Sequence, residues 1–597
     1  MKVSSMQVAQ ITVGERTSFR KFIRRSIGLW AIAAAIVGIG IVGCSESTPT
    51  KKVEKKVDAK SIEAADVRTQ RNLQNAIAAL QPDQLGISSD PERAIAVLNE
   101  WAEAAKKEAE QNGTQWVPRR SQQLLKSLPK DWVEQALLDK FIQRDGMFLR
   151  DCFWANKIAK LAIGNTDSEV DRIVNLFYYV VRNVELIPSG RRKVALGPFD
   201  VMVLGRGTVE DRVWIFSELL RQRQIDTVLL TPQGAKANEE SWMLVGVLLD
   251  DEVYLFDPSL GMPIPADLAQ PRSAMPRQPL TLKQAKSAGG LLTSIARDSA
   301  GRFNITASEL ASPQVKLICN TAVLSTRMKQ LQQQLSGELT AVVSNPLEDG
   351  EDQPGLWSRV TQHPGATWNA DDLIVWSYPE NRREAAAHME PDQIKELTRL
   401  TYTMGAPIRL VSVKEGQNMK QAPEFIYGKP ERALMKFRMN HVVGNWAEVV
   451  QGYLAAQLYE VDPPVTKDVY SQFLMMLKQA GQDSGDAKRL LRERIPKEIR
   501  ELHVRAANDA CYWMALCQAE QNRTKATIEQ CLAYLDRYSE GSWSHAAKTL
   551  LAVSLAKQKR WKDAAQTIGQ TEEESLDYGG HQILKARWRR MLAETQE

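Results

Sequence analysis

The chain has 597 residues, 43% of them hydrophobic and 25% charged, an ordinary globular composition long enough for about three to five domains. Its net charge of +5 sits at one end, because Lys2, Arg16, Arg20, Lys21, Arg24 and Arg25 oppose only Glu15 within the first 26 residues. The remainder therefore sums to zero and lacks the basic surface that phosphate contacts need, which argues against a generic nucleic-acid binder.

Residues 1–43 read as an export signal: a basic segment ending in Arg24 and Arg25, then 17 uncharged residues from Ile27 to Gly43. The stretch closes in Ile41, Val42, Gly43 and Cys44. That run resembles the lipobox of bacterial lipoproteins, and the resemblance implies lipid attachment at Cys44. It also implies an envelope protein facing the periplasm, anchored in the inner or the outer membrane. The competing reading is an uncleaved signal anchor, although 17 residues fall short of the roughly 20 that span a bilayer. Several acyl chains would hold the protein far more firmly than one. Residues 44–65, rich in Ser, Thr, Pro, Lys and Glu, read as a flexible tether.

Residues 66–139 carry helical spacing, with Ile77, Leu80, Ile95, Leu98 and Trp101 among the apolar positions and a helix start at Ser88, Ser89, Asp90 and Pro91. Cys152 lies mid-helix beside Phe153 and Trp154, the setting of a buried structural thiol. Ser168 then caps a helix whose Val170, Ile173, Val174, Phe177, Val180 and Val181 share one face.

From Gly205 to Pro232 the pattern predicts a glycine turn, a helix and a buried strand. Thr208 and Asp211 form a capping box, Val209, Val213, Phe216 and Leu220 follow at helical spacing, and the helix should end near Arg223. Thr227–Leu230 suits a strand covered on both faces. Trp242–Leu249 and Val253–Phe256 then predict a hairpin turned by Asp250, Asp251 and Glu252.

Gly205, Gly207, Phe216, Leu219, Leu220, Arg221 and Ile225, followed by Trp242 and Asp257, resemble the transglutaminase-like superfamily in order. The resemblance covers residues 140–265 and implies a papain-like α+β core with a cysteine at the helix start. It also implies a histidine before the tryptophan and an aspartate that orients the histidine. Here the cysteine's place is taken by Val209 and the histidine's by Glu240, or by Ser241 if the register slips by one; Asp257 alone matches. The first histidine of the chain is His363, so no shift within 140–265 supplies a general base. Where nucleophile and base act as a unit, losing either costs on the order of 10⁶ in turnover. The opposed reading is an active cysteine peptidase or acyltransferase with displaced catalytic residues. Glu210, Asp211, Glu240 and Asp257 also raise an acid–base carboxylate pair, against the plainer reading of a capped helix, loop acids and a strand-end aspartate bonded to local amides.

Residues 266–300, with Pro271, Pro276 and Pro279, read as a connector holding one short helix. Residues 301–425 suggest a small α/β or α+β unit, with strands at Val315–Cys319, Leu339–Val343, Leu373–Tyr378 and Ile408–Val413 and helices near Thr326–Leu335 and Pro391–Thr403. His363 and His388 lack metal-ligand spacing, and no cofactor is indicated.

Residues 431–597 repeat. The run from Ala515 aligns with that from Ala552 at an offset of 37, matching Ala519 to Ala556, Gln521 to Gln558 and Lys525 to Lys562, and Trp446 recurs as Trp561. This resembles tetratricopeptide helical hairpins, which bind partners on a concave face; packing onto the preceding domains is the alternative. Cys517 and Cys531 could bridge two helices of one repeat, and close packing explains them equally well. Taken together, the expectation is a multidomain α+β protein: an envelope-anchored, non-catalytic scaffold that holds other envelope proteins through its repeats and the membrane through Cys44.

Overall fold

The protein is described here by a computed structural model covering residues 59–86, 91–111, 128–191, 193–234, 242–350, 353–402, 408–415, 418–425, 434–462, 467–495 and 497–596. Cys44, the apolar stretch before it, Ser88 to Asp90, Glu240, Ser241 and Glu431 lie outside those residues. No helix among them is long and apolar enough to cross a membrane.

Helices α1 (Ala59–Ala79), with the turn after it, and α2 (Glu92–Gln111) bury the expected apolar positions Ile77, Leu80, Ile95, Leu98 and Trp101, and α3 (Lys130–Ala136) follows. Next come α4 (Gln143–Ala162) and α5 (Glu169–Asn183), the latter capped by Ser168, whose Oγ accepts from the Asp171 amide at 3.2 Å. The chain leaves α5 through β1 (Glu185–Leu186), passes α6 (Pro198–Leu204) and returns as β2 (Arg206–Gly207), parallel to β1. Gly205 joins α6 to β2 at φ 74°, and a Cβ there would stand 2.7 Å from the Trp543 ring, so both backbone and packing demand glycine.

Helix α7 (Val209–Arg221) starts at the expected box. Thr208 N donates to Asp211 Oδ2 at 2.7 Å, and Val213, Phe216 and Leu220 are fully buried. Strand β3 (Thr227–Thr231) is buried along its whole length, as its unbroken apolar run requires. Strands β4 (Leu244–Leu249) and β5 (Glu252–Asp257) form the hairpin, with Asp250 at φ 52° in its two-residue turn. Phe177 of α5, Phe216 of α7 and Phe256 of β5 meet with ring centroids 5.0–5.2 Å apart, locking the two helices to the sheet.

The architecture is mixed α+β, mostly helical around one six-stranded sheet ordered β6-β5-β4-β3-β7-β8, with β6 (Met262–Pro263), β7 (Gln314–Leu317) and β8 (Leu373–Val375). Residues 266–300 differ from a bare connector with one helix. They hold α8 (Leu282–Ser287) and α9 (Gly289–Asp298), and Leu255 N donates to Leu280 O beside β5. Residues 301–425 likewise do not build a sheet of their own from all four expected strands. β7 pairs antiparallel with β3, whose open edge would otherwise leave buried amides unpaired, and β8 pairs parallel with β7. Leu339–Val343 forms no strand because side-chain amides satisfy the backbone nearby: Val342 N donates to Gln222 Oε1, and Val343 N and Ser344 N to Gln332 Oε1. This region also supplies α10 (Thr326–Gln332), α11 (Tyr378–Ala387), α12 (Pro391–Tyr402) and a separate hairpin of β9 (Ile408–Glu415) and β10 (Asn418–Phe425).

The last part is helical: α13 (Leu434–Val442), α14 (Val449–Ala456), α15 (Lys467–Gln479), α16 (Ala487–Arg494), α17 (Lys497–Glu520), α18 (Thr524–Arg537), α19 (Ser544–Lys557), α20 (Trp561–Ile568) and α21 (Tyr578–Glu594). The 37-residue offset reappears in the backbone. Asn522 and Lys559 take φ 58° and 60° in the turns α17/α18 and α19/α20, and Arg523 N and Arg560 N close onto Gln518 O and Leu555 O. Cys511, Cys517 and Cys531 are buried free thiols, and Gln521 Nε2 donates to Cys517 Sγ.

The inner face of this array packs on the α/β core. Arg587 donates to both Asp267 oxygens at 3.0 and 2.7 Å, Trp588 Nε1 to Ala274 O at 2.7 Å, and Asn183 Nδ2 to Glu520 Oε1 at 2.7 Å. Gly580 lies so close to the core that a Cβ would sit 2.0 Å from Leu260 O. From Ala64 onward the described chain forms one compact unit.

Candidate functional site

Two places compete: the positions implied by the superfamily resemblance, and a cavity between the core and the helical array. The first begins at the N-terminus of α7, where exposed amides and the helix dipole favour negative charge. That charge is already supplied. Asp211 accepts from Thr208 N, and the Tyr378 hydroxyl of α11 donates to Asp211 Oδ1 at 2.9 Å. Trp376 stacks on Tyr378 with centroids 5.1 Å apart, and Trp214 meets it edge-on at 6.2 Å. Val209 is half-buried beside this closed cap and carries no group that attacks a carbonyl. Neighbouring Glu210 accepts a long 3.4 Å bond from Ser189 Oγ.

Asp257 ends β5 as expected, but it serves its own turn. Its Oδ1 accepts from Ser259 N at 2.8 Å, Ser259 Oγ at 2.6 Å and Leu260 N at 2.9 Å. Burial pushes its carboxyl up, while the bonds from Ser259 and Leu260 pull it back. No imidazole bonds to it among the described residues. His363 sits by the opposite end of the hairpin, where Asp250, Asp251 and Glu252 act on it, roughly 17 Å along the strand from Asp257. Cys152 is equally remote from Val209: it receives Arg221 Nη2 at 3.6 Å, and Arg221 ends α7, roughly 18 Å of helix from its start. Burial raises the Cys152 thiol, which makes it a poor nucleophile. The structure thus brings Thr208, Asp211 and Tyr378 together and leaves Val209, Cys152, Asp257 and His363 apart. Glu240 is outside the described residues.

The second place is a cavity of about 510 Å³ where α5, β1 and the turn after Asp257 face α17, α19 and α21. Its size falls within the few-hundred to thousand Å³ range of small-molecule sites. It touches both sides of the implied cleft, through Arg212 one turn into α7 and through Leu260, Gly261 and Met262, but neither Val209 nor Asp257 lines it. Tyr178, Leu260, Met262, Met275, Trp446 and Leu550 supply apolar wall.

The charges of the lining fall into two sets. In the first, every group has a partner. Arg212 donates to Val184 O and Pro258 O and stands 3.5 Å from Asp577; Arg277 donates to Asp171 Oδ1 at 2.7 Å; Glu520 takes the Asn183 amide and lies 3.2 Å from His441 Nε2. His581 is held by two hydroxyls, Thr549 and Thr571, each at 2.8 Å, and burial lowers its pKa to about 4. In the second set the side chains of Arg182 and Lys557 make no direct hydrogen bond or ion pair among the described residues, but Arg182 lies in the field of Glu520 and helps to hold that carboxyl below its usual value. Although Lys557 is exposed, partial desolvation against the cavity wall, then the charges of Arg182 and Arg277, hold its ammonium below the usual pKa. Glu185 Oε2 is buried without a hydrogen-bond partner, and burial raises that carboxyl to about 8 despite Arg206 and Arg212, so it is protonated at neutral pH.

Sequence reasoning found α7, Asp257 and the repeats but not this cavity, because its walls come from segments more than 300 positions apart. Two signals were present: Glu185 interrupts an apolar run between Val184 and Leu186, and Lys557 stands 37 positions after Glu520, reversing the charge at one repeat position. Among the described residues no group of three metal-ligating side chains converges. Comparison with protein-family models, with curated proteins and with solved structures finds no match for the chain.

Proposed function

We propose that this chain is a non-catalytic, envelope-anchored lipoprotein whose degenerate transglutaminase-like core and tetratricopeptide-like array form one binding scaffold. The observation that carries this reading is the closed start of α7, where Val209 replaces a nucleophile and Asp211 with Tyr378 neutralises the helix terminus. A thiolate there would face a resident carboxylate and would have no imidazole to share a proton with. What remains is suited to holding rather than converting: a roomy, partly apolar cavity with charged groups on its walls. Because the array's inner face is spent on the core, envelope proteins would be held by its outer helices, and the membrane by lipid on Cys44.

The reading is tested on the full chain in a diderm bacterium. Palmitate should label the wild type and not Cys44→Ala, the wild type should sediment with membranes, and a thiol-directed active-site probe should label no cysteine selectively. Probe labelling of Cys152 that denaturation abolishes would favour instead an enzyme with displaced residues, and equal palmitate labelling of both proteins would remove the lipid anchor.

A further inference from the structure

We infer that the cavity between the α/β core and the helical array binds an uncharged primary carboxamide on an apolar body, its amide head paired with the side chain of Glu185. The inference rests on the binding reading above and names its ligand class.

Among the described residues, the lining holds two buried side-chain oxygens without a hydrogen bond, Glu520 Oε2 and Glu185 Oε2. The first has His441 Nε2 at 3.2 Å, and its sister oxygen takes the Asn183 amide. The second has no such neighbour. Strand pairing spends the Glu185 main-chain amide on Gly205 O, so what this residue offers the cavity is its carboxyl. The cations that act on it are engaged elsewhere. Arg206, its partner across the β1/β2 pair, lies over the Trp543 ring and 3.7 Å from Asp509, and Arg212 donates to Val184 O and Pro258 O. A carboxylate sealed from water with neither an ion pair nor a hydrogen bond is costly, so the group keeps its proton. Burial accordingly raises it to about 8.

A neutral carboxyl sets one O–H donor beside one C=O acceptor. The uncharged group that answers both in one plane is a carboxamide, whose carbonyl takes the O–H while its N–H reaches the C=O. A second carboxylic acid has the same outline but is ionised at neutral pH, and an alcohol has a single oxygen for both roles. The other charges of the wall are balanced or solvated: Arg212 has Asp577, Arg277 has Asp171, Arg182 lies in the field of the Glu520 carboxylate, and Lys557 is exposed to solvent. Tyr178 and Tyr179 spend their hydroxyls on Pro276 O and Val442 O, so they offer the cavity ring rather than a polar end. With buried Leu260, Met262 and Leu550 they form the wall that an apolar body would cover.

The test is equilibrium dialysis of octanamide, N,N-dimethyloctanamide, octylamine and octanoate against the full chain in phosphatidylcholine nanodiscs, with empty discs as the blank. Octanamide should bind in saturable fashion and the other three at least about tenfold more weakly, because the dimethyl form lacks the N–H and each ion enters a site that holds no free counter-charge for it. Glu185→Gln keeps a donor beside an acceptor and should retain the preference for octanamide over its dimethyl form. Glu185→Leu should abolish that preference, octanamide falling about tenfold, and near-UV circular dichroism should confirm that both variants fold. Absence of saturable octanamide binding, octylamine or octanoate binding as tightly, or a folded Glu185→Leu that keeps the preference would each overturn the assignment. Release of octanoate and ammonia from octanamide would overturn the scaffold reading itself, whereas missing octanamide binding without turnover would sink only the ligand class.

Discussion

Glu185 shows how one residue can set a pH dependence for the whole fold. Its carboxyl titrates near 4.5 when free of the protein's influence and near 8 in the folded state, because burial penalises the charge more than Arg206 and Arg212 reward it. A raised folded value means that the native state holds a proton the unfolded chain has lost. The corresponding stability is complete below about pH 4.5 and falls as pH rises through about 8. At about 1.4 kcal/mol per unit, the effect is at most on the order of 5 kcal/mol. Glu185→Gln, which cannot ionise, should lose less stability between pH 5 and 8.5 than the wild type in urea denaturation at a series of pH values. Parallel curves for the two proteins would show that Glu185 ionises freely. His581 runs the other way: its pKa, lowered to about 4 by burial, gives stability that is present above the free value of 6.5 and lost as pH falls through about 4.

At the scale of elements, what could be read in advance follows from local chemistry. The Thr208–Asp211 box, the α5 cap at Ser168, the stripe Val213, Phe216, Leu220 and the Asp250–Asp251 hairpin were legible because each is fixed by neighbours within a few positions. The 37-residue repeat was legible because identical turns need similar residues, and Asn522 and Lys559 bear it out in backbone angle. The pairing of β7 with β3 and the loss of a strand at 339–343 were not, since they depend on which distant edge or amide is open. The same holds for the seam between α21 and the core. Gly580→Ala places a methyl against Leu260 O and should cost about 1–3 kcal/mol. Arg587→Met leaves the Asp267 carboxylate buried and unpaired and should cost about 3–5 kcal/mol. Both losses should appear in the urea midpoint, and a midpoint unmoved by either would mean that the array does not close on the core as described.

For the molecule as a whole, the array acts as the lid of the core rather than as a free arm. Residues of α5 and α6 bond to α13 and α17 through Arg438, Asn183 and Glu520, and β5's following turn meets α21 at Gly580. The candidate site exists only in this closed form, which is why no segment read alone disclosed it. The cavity lies away from the start of α7 and from Asp257, and shares only Arg212 and the turn at Leu260 with the cleft that the superfamily resemblance implies. The central claim is that this chain holds its ligand without reacting with it. Its most direct test is the intact mass of the full chain after incubation with p-nitrophenyl octanoate, read together with nitrophenol release. The account predicts an unmodified mass and release no faster than in buffer; an octanoyl adduct on any cysteine, with a burst of nitrophenol, would contradict it.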